Sequence, residues 1–146
     1  ATTEIYTLSL HDALPIYRAE YERELQDVCA TYGIGVIPYS PLAAGFLTGK
    51  YRKGQELPDS QRTRSAQRYF NDRNWELLDK MEKLGQEKGG KSISQIALAW
   101  LLSNPTITSP IIGPRSMEQL NDNLGAVGLR LTGEEKKMLD EASAWS

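Results

Sequence analysis

The chain has 146 residues and a formal net charge of −2, with 25% charged and 40% hydrophobic residues. These proportions fit one ordinary globular domain. The single cysteine, Cys29, excludes an internal disulfide and a cysteine-rich zinc site, and the single histidine, His11, excludes two-histidine chemistry. No apolar run approaches the ~20 residues of a membrane span, and the charge balance lacks the basic excess of a nucleic-acid binder.

Residues 1–16 read ATTEIYTLSLHDALPI. They are strand-like around Ile5 to Leu10, but they lack the basic start and small-residue cleavage site of a secretory signal. Back-translated in one open frame, the whole segment matches the tail of a widely used sequencing-library adapter. It is therefore expected to be a non-native, adapter-derived segment, with a natural disordered tail as the alternative. His11, Glu4 and Asp12 fall inside it, so the remainder is electrically neutral and has no histidine. Fold reasoning then starts near Arg18, with residues 17–146 taken as one portion.

Glu20 to Thr31 reads as a helix, with Tyr21, Leu25, Val28 and Cys29 at helical spacing and Gly33 as its stop. Gly35 to Tyr39 is a short apolar run, expected of a strand buried on both faces of a parallel sheet and ending at Pro38. Residues 41–70 read as a long connection without clear periodicity, functional or mobile. Asn71 or Asp72 caps a helix from Arg73 to about Lys88, whose apolar face is Trp75, Leu78, Met81 and Leu84 and which Gly89-Gly90 ends. Ser92 with Gln95 forms a capping box that opens a deeply buried helix, Ile93 to Ser103. Thr108 to Ile112 is a second short strand. Ser116 with Gln119 and Thr132 with Glu135 form two more capping boxes, each opening a helix. Trp75, Trp100 and Cys29 read as core. There is no Gly-x-Gly-x-x-Gly, so a Rossmann reading has no support.

Gly33-Ile34-Gly35-Val36-Ile37-Pro38-Tyr39-Ser40-Pro41-Leu42-Ala43-Ala44-Gly45-Phe46-Leu47-Thr48-Gly49-Lys50 resembles the aldo-keto reductase family. The resemblance recurs at Ile96–Leu102 and returns over Ile111–Ala126, in the family's order and spacing. It implies an α/β fold of the (β/α)8 TIM-barrel type, of which this chain is the incomplete C-terminal part: strands seven and eight with their helices. It also implies a cytoplasmic NADP-dependent enzyme that reduces a small-molecule carbonyl substrate, with no nucleic-acid or membrane partner. The family's catalytic tetrad of Asp, Tyr, Lys and His belongs to the absent part, so the chain is expected to be inactive, with no catalytic residue and no metal. The auxiliary subunits of potassium channels belong to the same family, so a cofactor-sensing binding protein is the alternative.

Ligand sites in such barrels lie beyond the C-terminal ends of the strands. The resemblance places the nicotinamide against Tyr39 and the pyrophosphate on Ser40, Pro41, Leu42 and Gly45, where small side chains admit close backbone approach. Lys50 matches a phosphate-contacting lysine in one branch, the alternative being a surface lysine. Arg62 matches a cofactor-loop arginine, with Arg64 and Arg68 competing for the role. Gly113, Arg115, Gln119, Asp122 and Asn123 match positions that hold the adenosine end. Arg115 pairs with the 2′-phosphate in this reading, and Gln119 and Asn123 share a helix face. Asp122 stands where the family usually has the longer Glu.

Overall fold

The structure is a computed structural model that describes residues 7–10, 21–57 and 59–144. Two short strands, β1 (Thr7–Leu10) and β2 (Gly35–Pro38), pair in parallel, from Thr7 opposite Gly35 to Leu10 opposite Pro38. β1 lies inside the segment set apart on sequence grounds. Its pairing is backbone hydrogen bonding, which a bare sheet edge offers to any strand-prone stretch, so a fold argument begun at Arg18 misses it.

A π-helical turn, Tyr21–Leu25, leads into α1 (Gln26–Tyr32). Gly33 closes α1 at φ 65° and donates its N–H to the Cys29 carbonyl, a left-handed cap that glycine adopts without steric cost. Tyr21 and Cys29 pack with Val36, Leu101 and Ile107, and the Tyr21 hydroxyl shares a hydrogen bond with Thr106. Leu25 and Val28, expected on the same face, are exposed. The wider π turn shifts the 3.6-residue phase on which that expectation rested.

β2 ends at Pro38, as its missing N–H dictates. Its burial alternates: Val36 and Pro38 are buried, Gly35 and Ile37 are only half-buried, and Tyr39 beyond it is exposed. The expectation of burial on both faces is thus corrected. The described residues cover one face of this strand. The second strand, expected at Thr108–Ile112, is reduced to two isolated parallel bridges, Val36 with Ile107 and Tyr39 with Ile111. Successive bridges advance by three residues on one side and four on the other, so the chain bulges between them, at a stretch where Pro110 has no N–H to give.

The 41–70 connection is more ordered than its sequence suggests. It holds a kinked 3-10 segment (Ala43–Thr48), α2 (Gln61–Ala66) and a 3-10 turn (Gln67–Tyr69). Each is too short to print a period. Ala43, Phe46, Leu47, Tyr51, Ala66 and Tyr69 nonetheless all join the main core.

α3 (Asp72–Glu87) is capped by the Asn71 side chain, which accepts from the Asn74 N–H. α4 (Ile93–Leu102) starts from the expected Ser92–Gln95 capping box, and α6 (Gly133–Ala142) from the Thr132–Glu135 box. α5 (Met117–Leu124) has only half a box: Ser116 accepts from the Gln119 N–H, but the Gln119 side chain reaches past Ser116 to the Arg115 N–H at 2.9 Å. α3, α4 and α6 close on the 43–70 segment around Leu77, Leu78, Met81, Leu84, Ile96, Trp100 and Leu139. Phe46, Phe70 and Trp75 stack at 4.8–5.7 Å between ring centroids. The indole N–H of Trp100 donates to Asp140 at 2.8 Å, and Lys88 pairs with Glu135 at 2.8 Å. Trp75, Trp100 and Cys29 are therefore core-associated, as expected.

Candidate functional site

The loop after β2 turns on three non-glycine residues with left-handed backbone, Ser40, Ala43 and Ala44, at φ 56°, 51° and 54°. Such conformations store strain and gather at ligand sites. The loop also spends its own amides. The N–H groups of Ala43 and Gly45 donate to the Ser40 and Leu42 carbonyls, both at 2.9 Å, and that of Ala44 reaches the Ser40 hydroxyl at 3.3 Å. The expectation that the loop's amides cradle a phosphate is thereby corrected for Ala43, Ala44 and Gly45, whose N–H groups are spent within the loop, while the Ser40 hydroxyl proton and the cations nearby stay open to a ligand.

This loop and the start of α5 face each other across a cleft of about 480 Å3, within the usual range for a small-molecule site. Tyr39, Ser40, Pro41, Leu42, Gly45, Lys50, Arg62, Gly113, Gln119, Asp122 and Asn123 all line it. These are the residues singled out from the sequence, apart from Arg115. Arg115 is exposed at the rim, outside the lining, with its backbone N–H held by Gln119. The sequence placed it on the wall because it directly precedes the helix. The turn that caps α5 leaves its side chain to solvent.

Two cations lie on the loop wall. The Lys50 ammonium stands 4.7 Å from the Tyr51 ring centroid and lies across Gly45, where a Cβ would sit 3.1 Å from the Lys50 Cε. A side chain at Gly45, already at φ 90°, would displace it. Arg62 is the loop arginine in the cleft. Its competitors are engaged elsewhere: Arg64 with Asp59 at 2.9 Å, and Arg68 with the Tyr69 hydroxyl at 2.6 Å. Arg52 and Lys53 are likewise tied to Glu82 and Asp72, at 2.9 and 2.7 Å. The partnership with Asp72 raises the Lys53 pKa above the ordinary lysine value.

The α5 wall is mostly spoken for. Gln119 holds the Arg115 N–H, and the Asp122 carboxylate accepts from the Ser92 hydroxyl at 3.0 Å. Asn123 is more than nine-tenths buried as a residue and lines the cleft. Cations on one wall and a side-chain amide on the other suit a ligand that carries phosphates and a hydrogen-bonding base.

Sequence reasoning missed Ala44, Thr48, Ser94, Ile111, Ile112, Pro114 and Glu118 in the lining. Ile111 and Ile112 were legible as the end of a strand, and Glu118 as part of the first turn of α5. Ser94 reaches the cleft only because α4 packs on α5, which no local signal reports. Among the described residues no cluster of His, Cys, Asp or Glu is placed to hold a metal, and no helix is long and apolar enough to cross a membrane.

Comparison with known proteins identifies the family of the chain. A family model described as the aldo/keto reductase family matches residues 7–144. An uncharacterised oxidoreductase of Bacillus subtilis is 40% identical over 121 residues, which are 82% of this chain and 35% of that protein. A probable voltage-gated potassium channel subunit beta of Oryza sativa is 37% identical over 116 residues, covering 75% of this chain and 35% of its own length. Among solved structures, a glycerol dehydrogenase from Gluconobacter oxydans superposes with a TM-score of 0.75 at 28% identity, over 93% of this chain and 42% of that one. The chain thus spans about a third of the curated relatives' length, and within the described residues the barrel these relatives imply is partial and unclosed. The family generally uses a nicotinamide cofactor, and the chain, matched over most of its length, belongs to the aldo/keto reductase family.

Proposed function

We propose that this chain is the cofactor-binding portion of an NADP(H)-dependent aldo-keto reductase that reduces aldehydes and ketones. The observation that carries the reading is that one cleft sets Lys50 and Arg62 opposite the Gln119 and Asn123 side-chain amides. In this reading Tyr39 backs the nicotinamide and fixes which ring face is open. Ser40, Pro41, Leu42, Gly45, Lys50 and Arg62 hold the pyrophosphate. Gly113, Gln119, Asp122 and Asn123 hold the adenosine end, and the Arg115 side chain swings from the rim to pair with the 2′-phosphate, for which a guanidinium is well shaped. NADPH supplies the hydride when bound; the chain's own residues bind and orient it. The proton donor and the rest of the catalytic tetrad lie in the family's preceding segments, outside this sequence. The parent enzyme is cytoplasmic, and residues 1–16 are adapter-derived.

Titration with NADPH, followed by nicotinamide fluorescence, tests the reading. Saturable binding is expected, with about tenfold weakening in Arg62→Ala, as for loss of one charge-assisted contact. Unchanged affinity in that variant counts against it. No carbonyl-dependent oxidation of NADPH is expected, and steady turnover with an aldehyde would contradict the assignment of the tetrad to other segments.

A second reading is a cofactor-sensing channel subunit, supported by the 37% identity to a potassium channel beta subunit. The natural upstream reading frame decides between them. A full tetrad in a free-standing gene favours the enzyme, and recovery of the parent protein with a channel favours the subunit. Natural coding sequence in place of the adapter, read from unassembled reads of the locus, would establish the origin of residues 1–16. An intact gene encoding ATTEIY would refute it.

A further inference from the structure

The α5 wall of the cleft is held from behind by a residue pair that no site motif includes. Ser92 and Gln95 open α4, and their capping box is complete. Both also reach across to α5. The Ser92 hydroxyl, while accepting from the Gln95 N–H at 3.1 Å, donates to the Asp122 carboxylate at 3.0 Å. The Gln95 side chain accepts from the Ser92 N–H at 3.2 Å and donates its amide to the Asp122 carbonyl at 2.9 Å. Asp122 is thus gripped at side chain and backbone alike. Gly125 completes the fit, because a Cβ there would collide with the Gln95 amide. The next residue, Asn123, lines the cleft.

We infer that Ser92 and Gln95 are positioning residues of the cleft: by binding Asp122 at side chain and backbone they fix the α5 wall, so that Asp122 and Asn123 are held in place for a bound adenosine phosphate. This rests on the cofactor reading above. A mobile α5 turn would have to be ordered on binding. The clasp removes that cost before the ligand arrives. It also explains how an aspartate serves where a longer acid is usual: its short arm meets the α4 cap.

The test uses the unaltered chain and three variants, with adenosine 2′,5′-bisphosphate as probe. Ser92→Gly keeps an acceptable cap but removes the hydroxyl. It should weaken binding roughly fivefold, the scale of one lost hydrogen bond, with little change in melting temperature. Ser92→Thr retains the hydroxyl and should restore affinity to within about twofold. Gly125→Ala should weaken binding by displacing the Gln95 side chain from the Asp122 carbonyl. A purely structural cap would lower the melting temperature in proportion and leave probe affinity alone. Unchanged affinity in Ser92→Gly, or a Ser92→Thr as weak as Ser92→Gly, overturns the inference while the cofactor reading stands. Failure of the unaltered chain to bind either this probe or NADPH overturns the cofactor reading, and this inference with it.

Discussion

α4 and β2 are both apolar through their central residues, yet they sit in different surroundings. α4 is enclosed by α3, α5, α6 and the 43–48 segment, and Ile96 and Ala97 are fully buried. β2 is covered on one face, and the residues pointing the other way, Ile37 and Tyr39, are half-buried and exposed. Ile111, opposite Tyr39, is exposed as well. The helical side is largely closed, with caps, an aromatic cluster and ion pairs of its own. The strand side presents an incomplete surface and carries the cleft. Stability and binding are thus divided between two regions that meet at the Ser92–Gln95 clasp, and substitutions away from that clasp should leave the other region largely alone.

The largest effect is expected at the centre of the closed side. Phe46→Ala empties a fully buried site that Tyr69, Phe70 and Trp75 surround. It should cost about 3–5 kcal/mol in denaturant unfolding. A cost below 1 kcal/mol would mean that the stack is not a cooperative core. Gly85→Ala comes next. Its Cβ would strike the Lys91 carbonyl at the α3–α4 turn, a backbone obstruction expected to cost about 1–3 kcal/mol. Trp100→Phe removes one buried hydrogen bond to Asp140 and should cost about 1 kcal/mol, largely recovered in the double variant with Asp140→Ala.

A smaller effect depends on pH. Burial opposes ionisation of Glu135, but hydrogen bonds from Lys88 and Thr132 outweigh it and hold the carboxyl below the ordinary glutamate pKa. The folded chain therefore binds this proton less tightly than the unfolded one. The resulting stability is complete above the ordinary carboxylate range and is lost as pH falls through the depressed value. Melting temperatures of the parent and Glu135→Gln should differ near neutral pH and converge in acid. A constant gap would contradict this.

The smallest stability effect is expected on the open side. Tyr39→Ala should change unfolding free energy by no more than about 0.5 kcal/mol, since the ring is 51% exposed, while weakening NADPH binding. A large stability loss there would break the division between the two regions.

How legible each region was follows the same division. Helix starts were readable because a Ser or Thr three residues before a Gln or Glu acts locally, and Ser92 and Thr132 do close their boxes. Gln119 departs because its side chain has a better-placed donor in the Arg115 N–H. The 41–70 segment was unreadable as structure because its elements are single turns held by tertiary burial of Phe46, Leu47 and Tyr69. The second strand failed as a period because Pro110 splits it into two bridges. Most of the cleft was legible through the family resemblance. What was not legible depends on contacts between elements: Ser94 on the lining, Arg115 off it, and the clasp of Ser92 and Gln95 on Asp122.

The central claim is that the open side of this chain is a nicotinamide dinucleotide site. Its most direct test is a backbone-amide NMR titration of the isotope-labelled chain with NADPH. The account predicts saturable shifts confined to Tyr39–Gly45, Lys50, Arg62 and Gly113–Asn123, with the amides of α3 and α6 unmoved. No shifts at saturating NADPH, or shifts centred on α3 and α6, would contradict it.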